Sequence, residues 1–156
     1  MKLGITLLSI VVILASYFYF SNSYMLSREA KEAYHKKEYQ KAYDLSSKSL
    51  EENPYNKSAF GIKSQSKQRL EIEKFLNKAK INYKRATQIL GQGKLTPKEF
   101  LELQWICDAF LEDLRILTFT NKPTKAENTQ IKEFQEWFIS LQKQLQNAKR
   151  SEKTKS

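Results

Sequence analysis

From Leu3 to Ser27 no side chain carries a charge, whereas beyond Arg28 charged residues recur every few positions. Residues 3–20 are almost uninterruptedly apolar and end on Tyr17-Phe18-Tyr19-Phe20. A helix rises about 1.5 Å per residue, so ~20 such residues suffice to cross a hydrocarbon core. After this run the period changes. Ala30, Ala33 and Tyr34 share one side of a helix expected from Leu26 to Lys37. No proline or glycine stands between the two, so the run and this helix are expected to form one rod. A second short helix is predicted over residues 39–50, with Ala42, Tyr43, Leu45 and Leu50 facing inward. Asn53-Pro54 ends it, because proline lacks the donor a helix needs and restrains the residue before it.

A long helix is predicted over residues 57–90, with an apolar stripe through Ile72, Phe75, Leu76, Ala79, Tyr83, Ala86 and Leu90. Its first half is polar, and the stretch Ser64 to Ser66 reads as a bend or a solvent-exposed turn. Gly91-Gln92-Gly93 stops it, since glycine accepts the left-handed C-cap conformation. Thr96-Pro97-Lys98-Glu99 and Thr124-Lys125-Ala126-Glu127 are capping boxes, each opening a further helix. The helix from Thr96 to Phe119 has an apolar row Phe100, Leu103, Cys107, Phe110, Leu114, Leu117. A second row, Leu101, Trp105, Ala109 and Ile116, makes it read as the central element of the core. The last helix carries Ile131, Phe134, Phe138, Leu141, Leu145 and Ala148 at alternating steps of three and four.

The pattern predicts an all-α protein: a transmembrane helix, a helical hairpin and a bundle of three further helices. Residues 1–24 are expected to be the membrane anchor, 25–150 one helical domain and 151–156 a disordered tail. Four glycines and three prolines agree, since an all-β domain needs more turn residues. A cleaved signal peptide competes with the anchor, because Lys2 supplies a basic start and Ser21-Asn22-Ser23 a small-residue site. The aromatic cluster at the far end of the run favours the anchor, as aromatic rings gather at membrane interfaces. Counting lysines and arginines near the run would place the long part in the cytoplasm. The basic start followed at once by an apolar run favours export instead. The expected location is the bacterial inner membrane, single pass, with the domain in the periplasm.

The formal charge is +10, almost all of it beyond Lys2. It favours acidic proteins, anionic lipids, acidic wall polymers or nucleic acid as partners, and a location outside the cytoplasm removes the last of these. Cys107 is the only cysteine, so no intramolecular disulfide forms, and its place on the apolar row makes it a core residue. His35 is the only histidine, far in sequence from Cys107. Metal-ligand spacing and a phosphate-binding glycine loop are absent. The expectation is therefore no enzyme, no catalytic residue, no metal, no cofactor and no small-molecule substrate. The sequence leaves the oligomeric state open.

Ala30 through Asn56 resembles one tetratricopeptide repeat: Ala30 and Ala42 at its small positions, Tyr39 at the aromatic opening its second helix, Leu50 at a buried position and Pro54 at its end. Glu29, Ser46 and Ser49 depart from the family's pattern. The resemblance implies a protein- or peptide-binding hairpin whose ligand side would hold Ser27, Lys31, Tyr34 and His35. It implies a membrane-anchored scaffold or adaptor that docks other envelope proteins. Proteins of this build look like accessory parts of flagellar motors or secretion machines. A membrane-bound chaperone for an export or stator component, and a basic binder of cell wall or lipid surfaces, are the alternatives.

Overall fold

The computed structural model describes residues 10–13, 16, 21–120 and 122–153. All regular structure among the described residues is helical. The five long helices are α1 (Asn22–His35), α2 (Tyr39–Glu52), α3 (Lys57–Leu90), α4 (Pro97–Thr120) and α5 (Lys125–Lys153). The span expected as one domain divides into two compact units at Leu70, within α3.

The first unit contains α1, α2 and the beginning of α3. Ser21 has φ −62° and ψ 129°, an extended conformation, so α1 starts afresh there. This corrects the expected single rod: a backbone turn at one residue suffices, without proline or glycine. The rest of the apolar run, residues 3–9, 14, 15 and 17–20, lies outside the described residues. Among those described, no helix is long and apolar enough to cross a membrane.

The turn between α1 and α2 closes with Lys37 in the left-handed region, φ 64°. The Glu38 amide donates to the Ala33 carbonyl at 2.9 Å and the Lys37 amide to the Tyr34 carbonyl at 3.0 Å. Those two bonds satisfy carbonyls that a helix end leaves open. The hairpin seam is built from small side chains. Ser23, Ser27, Ala30 and Ala33 on α1 and Ala42, Ser46 and Ser49 on α2 are buried. Leu45 and Leu50, expected inside, are only half-buried. Ser46 and Ser49, the departures from the repeat pattern, take the contact because small side chains let the two backbones approach.

At one end of this seam lies a polar network. Ser49 Oγ donates to the Ser23 carbonyl at 2.7 Å and Ser23 Oγ to the Ser49 carbonyl at 2.9 Å. Asn56 Nδ2 donates to Ser23 Oγ at 3.0 Å and Ser49 Oγ at 3.2 Å. Its Oδ1 caps α3 by accepting the Ala59 amide at 3.2 Å. Asn56 is almost fully buried, and these partners offset its desolvation. Of the two alternatives at Ser64 to Ser66, the bend does not occur: α3 runs through as a turn of helix with Ser64 and Gln65 exposed, while Ser66 and Arg69 are buried.

The second unit packs the rest of α3 with α4 and α5. Ile72, Phe75, Ala79, Ala86 and Ile89 meet Leu103, Ile106, Cys107, Phe110 and Leu114, with Ile131, Phe138, Leu141 and Leu145 from α5. The α3 stripe ends on Ile89, fully buried, and not on Leu90, which is exposed. Phe110 stacks on Phe138 at 4.2 Å between centroids and tilts against Phe75 at 5.4 Å. Both capping boxes form. The Thr96 amide donates to Glu99 Oε2 at 2.8 Å, and the Thr124 amide to Glu127 Oε2 at 2.6 Å. Gly93, φ 87°, is the residue that uses glycine's conformational freedom after α3. Helix α5 continues to Lys153, into the span expected as a disordered tail. Residues 154–156 lie outside the described residues.

Candidate functional site

Of the four residues implied as a ligand face on α1, two are where that role needs them. Lys31 and His35, one turn apart, are exposed. Ser27 is buried on the seam side, and its hydroxyl donates to the Tyr24 carbonyl at 3.1 Å. That corrects its expected exposure: position 27 lies between Ser23 and Ala30 on the stripe that meets α2. Tyr34 is half-buried against Ala30, Ala33 and Ala42, with its ring 5.4 Å from that of Tyr39. It serves hairpin packing, and its edge also approaches His35 at 6.2 Å.

The larger candidate surface is on the second unit. Helix α4 buries one of its two apolar rows and leaves the other in solvent. Leu101 is 63% exposed, Trp105 67% and Ile116 56%. The expectation that Trp105 and its row complete the core is thereby corrected. Three helices can cover α4 only on the sides facing α3 and α5, and the row through Trp105 points past α3. Trp137, by contrast, packs edge-on against Phe138 at 4.9 Å and Tyr83 at 4.5 Å.

Two ion pairs bracket this face. Lys78 reaches Asp113, and Arg85 grips Glu102 through both oxygens at 2.6 and 3.0 Å. The Glu102 carboxyl is held below the ordinary carboxylate range by that hydrogen-bonded guanidinium. Ile81, exposed, stands on α3 between Lys78 and Arg85, and so borders the same side as Trp105. Beyond the Lys78–Asp113 pair a groove of about 300 Å³ opens between Phe75, Ile116 and Leu117, with Lys74 at its edge. An apolar aromatic row beside a groove, rimmed by charges, is the usual chemistry of a protein-docking face.

Among the described residues, reactive groups do not gather. Cys107 is fully buried, and burial, with a smaller push from Asp108, drives its thiol up to about 11. Among the described residues no three histidine, cysteine or acidic side chains are placed to hold a metal ion.

No protein family matches the chain, and no curated protein or solved structure shows significant similarity to it.

Proposed function

We propose that this protein is a membrane-tethered helical adaptor that docks another envelope protein on the α4 face of its second unit. The uncovered row Leu101, Trp105, Ile116 carries the reading. Burying three large apolar side chains on a partner gains about 1.5–3 kcal/mol each before the costs of association. The partner this face suits is an amphipathic helix with an apolar stripe and an acidic margin. Lys74 and Lys98 are exposed beside the face, and the overall charge of +10 attracts an acidic partner.

The tether rests on residues 3–20. Four consecutive described positions within that run, Ile10 to Ile13, are helical and 56–67% exposed. Consecutive positions point all round a helix, so this turn is apolar on every side and wants an apolar solvent. A single cysteine sealed in the core is tolerated in an oxidising compartment such as the periplasm and does not by itself select one.

The test uses the full chain in membranes. A photo-crosslinking residue at position 105 should capture a defined partner that the same residue at exposed Lys132 does not. Trp105→Ala with Ile116→Ser should abolish the capture made from a crosslinker at position 101 while leaving the melting temperature unchanged. Equal capture from positions 105 and 132 would refute the docking face. Release of the chain from membranes by carbonate would refute the tether.

A further inference from the structure

The geometry points to a second membrane contact: the end of the first unit bearing Met25, Tyr55 and Phe60 lies in the head-group layer of the bilayer that holds the tether. This rests on the tether reading above. The Asn56 network fixes where this end of the unit lies. Asn56 Nδ2 donates to the Ser23 hydroxyl at 3.0 Å, so the α2–α3 turn is held against the first turn of α1. Ser23 stands three residues after Phe20, the last residue of the apolar run. Three residues span at most about 10 Å, whatever conformation they take. The turn at Asn53 to Asn56 is therefore confined close to the point where the run ends.

What the turn presents there is unusual. Tyr55 is 89% exposed and Phe60, in the first turn of α3, 68% exposed; Met25, in the first turn of α1, is 43% exposed. Among the described residues of the first unit, Tyr55 and Phe60 are left largely uncovered and Met25 partly so. The Asn53 carboxamide accepts the Tyr55 amide at 3.1 Å, which fixes the turn that projects this tyrosine. Glu51, Glu52 and Lys57 are exposed at the same end. A mixture of aromatic, apolar and charged groups suits the head-group region, about 5–7 Å deep on each side, and not the hydrocarbon core. The opposite end of the hairpin has another character. It is the turn Lys36-Lys37-Glu38, about 20 Å away along α1, and all three of its residues are exposed and charged. The unit thus has one amphipathic end beside the tether and one charged end away from it, which orients α1 across and not along the surface.

The experiment places a nitroxide label by Tyr55→Cys, Phe60→Cys or Lys36→Cys in the full chain, reconstituted in vesicles of phosphatidylcholine and phosphatidylglycerol. Cys107 is sealed, so the unaltered chain is the blank. Collision with lipid-soluble oxygen and with a water-soluble nickel chelate is then compared. Oxygen should dominate at positions 55 and 60, and the ratio should reverse at position 36. If the chain survives a carbonate wash yet labels at 55 and 60 collide mainly with nickel, the inference fails and the tether stands. If both reagents are excluded at 55 and 60, protein and not lipid covers this end, and the inference again fails. If carbonate strips the chain from the vesicles, the tether reading fails and takes the inference with it.

Discussion

Truncating Phe110 tests the packing of the second unit at its most demanding point. The side chain is 1% exposed and lies between Phe138, stacked at 4.2 Å, and Phe75, tilted at 5.4 Å. Both neighbours belong to other helices, so all three helices of the unit meet there. Phe110→Ala removes a ring whose loss costs about 3–5 kcal/mol in a core that cannot collapse around it. The two aromatic contacts add weight to the upper half of that range, at about 0.5–1.5 kcal/mol each. A unit of roughly 80 residues holds about 4–12 kcal/mol in all, so the alanine variant stands near the unfolding threshold. Phe110→Leu keeps the measurement within range, with an expected loss of about 1–2 kcal/mol. The assay is urea unfolding followed by tryptophan emission in a Trp105→Phe background. Trp137, wedged against Phe138 and Tyr83, is then the reporter of this unit. Trp105 is exposed, so the background change itself should lie within about 0.5 kcal/mol. A midpoint unmoved by Phe110→Leu, at constant slope, would refute the three-ring stack and the helix arrangement built on it.

Asn56→Ala should destabilise the first unit by about 1–3 kcal/mol, since it strips the cap of α3 and leaves buried serine oxygens short of a donor; hydrogen exchange at the start of α1 and α3 reports it. Lys37→Gly should stabilise the hairpin by about 0.5–1 kcal/mol, because glycine accepts φ 64° without a Cβ clash; thermal melts of the two chains decide. Glu99 and Glu102 have carboxyls lowered by hydrogen bonds from Thr96 and from Arg85 respectively. Their contribution is present above the ordinary carboxylate value and lost as pH falls through the lowered ones, so the melting temperature should drop on acidification below about pH 4.5, and less in Glu102→Gln. Cys107 should resist alkylation at pH 8 in the native chain and react at once in denaturant, because a thiol pushed up to about 11 and fully buried holds little thiolate.

The helices were legible because their signals are local. Thr96 and Thr124 with a glutamate three residues on, the glycines after Leu90 and Pro54 after α2 act within a few residues of where they stand. The stripe from Ile72 to Ala86 and the row from Leu103 to Leu117 identify buried faces by spacing alone. Asn56 as a cap, and the small spacing Ser23, Ser27, Ala30, were equally local signals, and the second places Ser27 in the seam and not on a ligand face. What spacing cannot tell is how many neighbours a helix has. Helix α4 carries two apolar rows; the partners packed against it cover one of them, and Trp105 is left outside as a candidate docking residue while Trp137 is drawn in. Whether an apolar side chain is core or surface is a property of the assembled elements, since burial depends on what arrives from elsewhere in the chain. The seam serines and Asn56 show the same from the polar side. Their side chains are buried because α1, α2 and the turn before α3 converge, and only that convergence supplies the hydrogen bonds that make burial tolerable.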